Sequence, residues 1–247
     1  MSPINTAASG AINVLEPATH NGKAPHVIAG GRDVHVRDLT ISYARAGVSV
    51  VPITGLDLYA PSSRVTALVG RSGSGKTSVL SCIAAMLRPE RGTIWVGGIE
   101  VTALRGAALD TYRRSHVGVV HQSYNLIPSL SAIENVTVPL SLIGVSRRDA
   151  IGRAEQLLGQ LGIADFAARR PHLLSGGQQQ RVAVARALAT NPSVVLADEP
   201  TAHLDGSSVA DVRDLLRSIA DAGRTVIVST HDDRLLPFVD QTIHLSA

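Results

Sequence analysis

Eight residues constrain this chain more than any others: Gly70 to Thr77 read GRSGSGKT. They fit the phosphate-binding pattern of Gly, four residues, Gly, Lys and Ser or Thr. The glycines let successive backbone N–H groups turn inward toward an anion. Lys76 adds a point charge for β- and γ-phosphates, and the Thr77 hydroxyl is a candidate Mg²⁺ ligand. The flanks agree. Val65 to Val69 (VTALV) is a short apolar run that reads as a strand. Lys76 to Leu87 reads as a helix whose positive N-terminal end faces the same anion. Arg71, Ser72, Gly73, Ser74, Gly75 and Ser78 complete the candidate cradle.

A second segment bears on the same chemistry. Val194 to Glu199 read VVLADE. Four small or apolar residues suit a buried strand. Asp198 then emerges at its carboxyl end, the edge where open α/β sheets bind ligands. There Asp198 suits Mg²⁺ held through its hydration shell, and Glu199 suits polarisation of an attacking water. Taken alone, an acidic pair after a strand also serves to cap the next helix; beside the glycine loop it reads as catalytic. Further strands are expected at Thr225 to Ser229, around Val34, Val36, Leu39 and Ile41, and over Ile94 to Val101 with Gly97-Gly98 as a turn. Helices are expected over Arg148 to Leu161, Val182 to Leu188 and Val209 to Ala220, with Gly223 at a helix C-cap. Short aliphatic strands alternating with helices predict an α/β fold whose parallel sheet is covered on both faces.

Composition narrows the setting. Of 247 residues, 45% are hydrophobic but only 3% aromatic, so the core must be aliphatic and alanine-rich. The formal net charge of +3 suits nucleic acid, anionic lipid or a phosphate ligand, and equally an ordinary solvated surface, so it excludes none of them. Cys82 is the sole cysteine, which rules out an internal disulfide and fits a reducing compartment. No run approaches the ~20 apolar residues that cross a bilayer. Met1 to Gly31 have no basic start followed by an apolar stretch, so no secretory signal is read there. A soluble, cytoplasmic protein is expected, one that needs another protein to hold it at a membrane. Residues 1 to 33 lack periodicity and read as a flexible N-terminal extension, or else as a partner-binding tail.

Leu174 to Leu188 read LSGGQQQRVAVARAL. This segment resembles the signature and trailing helix of ATP-binding-cassette (ABC) nucleotide-binding domains. The resemblance runs from about Val34 to the end in family order. It takes in Tyr43, the glycine loop, Gln122, Leu174 to Gln178, Asp198-Glu199, Ala202 to Asp205, and His231 in STHD. It implies a P-loop NTPase cassette over 34–247: an α/β, RecA-like core, an inserted α-helical subdomain at about 123–173, and a small antiparallel β subdomain. It also implies ATP and Mg²⁺ as ligands. Tyr43 would stack on adenine, Gln122 would touch the metal or the attacking water, and His231 would contact the γ-phosphate. Lys76, Gln122, Glu199 and His231 thus form the implied catalytic set, and Thr77, Gln122 and Asp198 the implied metal set. Ser175, Gly176, Gly177 and Gln178 would meet the γ-phosphate held by a second copy, so a homodimer or a pair of such subunits is implied. Departures from the family pattern are His203 in the segment 202–205, Leu173 before the signature, Ser62-Ser63-Arg64 before the strand, and His121 before Gln122.

Ser123 to Val145 (SYNLIPSLSAIENVTVPLSLIGV) is similar to the branch that serves lipoprotein-release, macrolide-export and cell-division permeases. Some importers carry a similar loop. The branch implies an integral membrane permease docked on the helical subdomain, a peripheral position on the inner face of the cell membrane, and no nucleic-acid partner. ATP hydrolysis would drive export or mechanotransmission; a soluble ABC ATPase with a nucleic-acid or assembly role is the alternative. In the turn Asn125 to Leu130, the side chains of Leu126, Ile127 and Leu130 are expected either to meet the permease or to fill the insert's own core. No motif or core pattern lies in residues 1 to 31. Their removal is therefore expected to leave ATPase rate and melting temperature unchanged; a fall in either would show that the segment packs on the cassette.

Overall fold

The computed structural model describes residues 31–45, 48–202 and 206–245. His203, Leu204 and Asp205 lie outside the described residues, as does the extension up to residue 30. In chain order the elements are β1 (Val34–Arg45), β2 (Val48–Ala60), β3 (Val65–Val69), α1 (Lys76–Ile83), β4 (Arg91–Val96), β5 (Ile99–Glu100), α2 (Gly106–Ser115), β6 (Val117–Val120), α3 (Ala132–Leu142), α4 (Arg147–Gln160), α5 (Gly176–Leu188), β7 (Val194–Asp198), α6 (Gly206–Asp221), β8 (Thr225–Thr230) and β9 (Gln241–His244). Strands β6-β7-β8-β3-β9 form one sheet in that order, and every pairing in it is parallel. Strands β2-β1-β4-β5 form a second, antiparallel sheet.

The parallel strands are near-continuous aliphatic runs because helices or the second sheet cover both faces. Side chains alternate across that sheet. Val65, Ala67, Val195, Ala197, Val226 and Val228 enter one core, shared with α3, α4, α5 and α6. Leu68, Val194, Leu196 and Ile227 enter the other, shared with α1 and the antiparallel sheet. Two helices end at residues of positive φ, one a glycine and one an alanine. Gly223 adopts φ +87 after α6, as its place after a helix predicts. Helix α1 stops short of the expected Leu87: Ala85 goes left-handed at φ +56, and the N–H groups of Met86 and Leu87 both donate to the Ser81 carbonyl at 2.8 and 3.0 Å.

The insert is helical. Capping boxes open α3 (Ser131 with Glu134) and α5 (Ser175 with Gln178), each satisfying two backbone donors of a helix start. In the turn 125–130, Ile127 is 38% exposed and Leu126 is half-buried. Leu126 packs against the larger core. The buried Asn135 side chain accepts from the Ile127 N–H at 2.7 Å and donates to the carbonyls of Ile127, Leu130 and Ser131 at 3.2, 3.2 and 3.0 Å.

Arg32 is tied to the cassette by three hydrogen bonds. Its N–H donates to Ser62 Oγ at 2.8 Å, its guanidinium donates to the Gly223 carbonyl at 3.2 Å, and its carbonyl accepts from Thr225 Oγ1 at 2.5 Å. The folded cassette thus already includes Arg32, and Ser62, a departure from the family pattern, serves as its acceptor.

Asp240 braces the same amino-terminal end of the parallel sheet. Its carboxylate accepts from the Val65 N–H at 2.8 Å, from Arg64 at 2.8 Å and from Arg217 of α6 at 2.6 Å, joining β3, α6 and the entry to β9. Burial pushes its pKa up, but these bonds outweigh it and hold the carboxyl at about 2, below the ordinary 3.8. A depressed carboxyl stabilises the fold above its unfolded value and loses that contribution as pH falls through the folded value. Asp240→Asn is expected to lower stability by about 1–2 kcal/mol at pH 7. The difference between the two proteins should shrink as the pH is taken from about 4 toward about 2; urea titrations at several pH values give the check.

Candidate functional site

The carboxyl ends of four adjacent parallel strands bring the predicted segments together. The glycine loop follows β3, Gln122 follows β6, Asp198 ends β7, and His231 follows β8. Within the loop, Gly75 is the N-cap of α1 at φ +90, and a Cβ there would stand 2.7 Å from the Ile53 side chain of β2. Gly70 has no room either: a Cβ would stand 2.7 Å from the Leu245 carbonyl oxygen. Close approach thus demands both glycines fixed by the pattern, and at Gly75 the positive φ demands it as well.

Lys76 is buried and folds back over its own loop. Its Nζ donates to the carbonyls of Gly70 at 2.7 Å and Arg71 at 3.2 Å, and lies 3.4 Å from Glu199 Oε1. The other Glu199 oxygen, Oε2, stands 2.9 Å from His231 Nδ1 and accepts from the His231 N–H at 3.3 Å. Glu199 itself sits at φ +46, a left-handed conformation rare outside glycine, which turns its carboxylate off the strand line toward Lys76 and His231. Beside it, the Thr77 hydroxyl is 3.0 Å from both Asp198 oxygens. A hydroxyl beside a carboxylate is an all-oxygen donor set, the kind that suits a hard divalent cation such as Mg²⁺.

Two residues that sequence reasoning missed hold this arrangement. Ser229 Oγ donates to Asp198 Oδ1 at 2.5 Å and accepts from the Glu199 N–H at 3.1 Å. Gln180, buried in α5, donates to the Pro200 carbonyl at 2.7 Å. The signal for Ser229 was slight, a hydroxyl at the carboxyl end of an otherwise aliphatic strand. For Gln180 the sequence offers only a polar residue on a buried helix face. The segment after β8 is stapled in turn: Thr201 Oγ1 donates to Asp232 Oδ2 at 2.9 Å. The Arg234 side-chain bonds to Asp232, at 2.8 and 2.7 Å, hold that carboxyl at about 2.

No hydrogen bond or ion pair among the described residues joins the remaining candidates to this cluster. Tyr43 is 40% exposed on β1, two residues beyond Ile41, whose register partner Ile53 touches Gly75. Gln122 is exposed at the start of its loop. Ser175 to Gln178 open α5, with Ser175 Oγ accepting from the Gln178 N–H at 3.3 Å and Gln178 Oε1 accepting from the Ser175 N–H at 2.9 Å. No hydrogen bond or ion pair among the described residues joins this segment to the glycine loop. The N–H groups of Gly176 and Gly177 lack helical acceptors by position, so this helix start is a second anion-seeking end.

A glycine-turned anion loop and an all-oxygen cation set on one edge of a parallel sheet define a P-loop nucleotide-binding protein. Within that class the chain belongs to the ABC transporter family, whose model matches residues 53–202. An uncharacterized ABC transporter ATP-binding protein of Mycobacterium tuberculosis, Rv0073, is 48% identical over 214 residues, 87% of this chain; the chain spans just under two thirds, 65%, of that relative's length. The lipoprotein-releasing system ATP-binding protein LolD of Geobacter metallireducens is 38% identical, over 86% of this chain and 95% of its own length. Among solved structures, the dimeric post-hydrolysis state of the ATP-binding cassette MJ0796, bound to ADP and Pi, superposes with a TM-score of 0.80 at 35% identity, covering 86% of this chain and 94% of that one.

Ser229→Ala removes one bond to Asp198 and one to the Glu199 backbone. The loss is expected to cost about 1–2 kcal/mol of stability, measured by urea denaturation. An unchanged midpoint would show that Ser229 does not hold the two acids.

Proposed function

We propose that this chain binds ATP and hydrolyses it to ADP and phosphate, as the nucleotide-binding subunit of a membrane transport complex. The observation that carries this reading is the Glu199 carboxylate, set at 3.4 Å from Lys76 and 2.9 Å from His231 beside the glycine loop. A γ-phosphate in the loop offers Lys76 a stronger acceptor than the two carbonyls it now contacts. Released from Lys76, Glu199 is free to accept the proton of the attacking water. His231 stays bonded to Glu199 and faces the phosphate, fixing the orientation of the base. The backbone N–H groups of Arg71 to Ser78 carry the phosphate charge, and Tyr43 offers a ring face to adenine. Mg²⁺, held by Thr77, Asp198 and Gln122, would neutralise charge on the β- and γ-oxygens.

The segment 175–178 stands away from the loop of its own chain, so its N–H groups are read as serving the nucleotide of a second copy. The reported dimer of MJ0796 supports a pair of cassettes. The membrane partner is supported by relatives. The macrolide export ATP-binding/permease protein MacB of Rhodopseudomonas palustris is 40% identical over 85% of this chain, which spans 32% of that protein. Among the described residues no helix is long and apolar enough to cross a membrane. The cassette would therefore sit on the cytoplasmic face through a permease, with export or mechanical work as the output and no nucleic-acid partner. Its docking surface is a groove between α2, β6 and α3 that includes Met86, Arg113, Arg114, His121, Pro139 and Leu142. Met86 and Leu142 are 56% and 61% exposed there, far more than single apolar side chains of a closed core. Apolar contact is thus offered by Met86 and Leu142.

Glu199→Gln keeps the hydrogen bond to His231 available but cannot take up a proton at neutral pH. Steady-state hydrolysis should fall at least a hundredfold while ATP binding persists. Turnover near the wild-type rate would remove Glu199 from the role of base.

A further inference from the structure

The loop that carries Gln122 is held in a conformation that its residues disfavour. Tyr124 and Asn125 sit at φ +61 and +48, both in the left-handed region. Asparagine tolerates this region, whereas a bulky tyrosine is rarely found there. Local bonds shape the turn: the Tyr124 N–H donates to the His121 carbonyl at 2.9 Å, and the Asn125 N–H to the Ser123 carbonyl at 2.7 Å.

The brace from outside the loop is Arg186, on the last turn of α5. Its Nη2 donates to the Tyr124 carbonyl at 2.8 Å and its Nη1 to the Asn125 carbonyl at 2.5 Å. One planar guanidinium thus spans two consecutive peptide groups, a contact that a lysine ammonium cannot reproduce. Among the described residues no carboxylate pairs with Arg186, and burial pulls its pKa below the ordinary value. The charge is committed to the two carbonyls. The loop also reaches toward the other end of the same helix: Tyr124 Oη lies 3.5 Å from where a Cβ on Gly176 would stand. Helix α5 therefore meets the Gln122 loop through its last turn and approaches it with its first, which carries the segment 175–178.

We infer that Arg186 is a positioning residue for the proposed reaction: it locks the Gln122 loop onto helix α5, so that Gln122 and the segment 175–178 move as one body. The inference rests on the ATPase reading above. Its consequence is a rigid link between the element that faces the chain's own nucleotide and the element offered to the nucleotide of the second copy. Arg186, His121 and Asn125 also border the groove between α2, β6 and α3. A partner seated in that groove would press on the link directly.

The test compares Arg186→Met and Arg186→Lys, each with and without Asn125→Gly, in the full chain. ATP Kd, kcat, KM and melting temperature are measured, with kcat taken well below the melting temperature of every variant. Arg186→Met should lower kcat at least tenfold and leave the ATP Kd within about twofold of wild type. Arg186→Lys should also lose most of kcat. Asn125→Gly removes the left-handed penalty at one of the two braced positions. It should recover kcat severalfold in either Arg186 variant. A purely structural role gives the opposite pattern, with kcat following the folded fraction and glycine bringing no recovery. Wild-type kcat in Arg186→Met or Arg186→Lys, or loss without rescue by glycine, overturns the inference. If Arg186→Met fails to fold, the lysine pair decides the same question. Wild-type protein that does not hydrolyse ATP sinks the ATPase reading and this inference together; active wild type with an equally active Arg186→Met sinks this inference alone.

Discussion

The contact between Lys76 and Glu199 is the interaction on which the rest of the site depends. A buried ammonium needs an acceptor, and here it has two loop carbonyls and a carboxylate. That contact fixes where the glycine loop closes, and it explains why Glu199 leaves its strand in a left-handed conformation. It also couples β3 to β7 across the intervening β8, so the position of Glu199 follows from the order of the sheet. Ser229 sits on that intervening strand and bonds both to Asp198 and to the Glu199 backbone, tying β8 to the end of β7.

From this centre, two lines of contact lead outward along α5. One is Gln180, which holds the Pro200 carbonyl just beyond Glu199. The other is Arg186, which grips the Gln122 loop. The same helix begins at the capping box of Ser175 and Gln178. Helix α5 thus contacts the turn beside Glu199 and the loop of Gln122, and carries the segment 175–178 at its own start. Rearrangement at one of these places has a packed, hydrogen-bonded route to the others.

Much of this was legible in the sequence, for a physical reason. Glycine loops, buried parallel strands and capping boxes demand particular residues locally, so GRSGSGKT, VVLADE and TVIVS declare themselves. β2 did not: Pro52 and Gly55 interrupt its alternation, and its register with β1 shifts at three places. α2 buries only Tyr112, so no apolar stripe marks it. α3 carries Pro139 inside it, a residue that argues against a helix unless packing overrides it. The expected helix at Arg148 to Leu161 and the strand at Thr225 to Ser229 differ from the observed elements only at their ends. Hardest to see were the long-range braces. Arg186 lies 61 residues from Asn125 and Ser229 lies 31 from Asp198, and one sequence records no such pairing.

The central claim is that each chain carries parts of two different sites, completed only when two copies close on nucleotide. Light scattering of the Glu199→Gln protein measures this most directly. At saturating ATP and Mg²⁺ the particle should have twice the 25.8 kDa chain mass and hold one ATP per chain, and it should return to single chains once nucleotide is removed. A particle that stays at the mass of one chain while fully loaded with ATP would contradict the account.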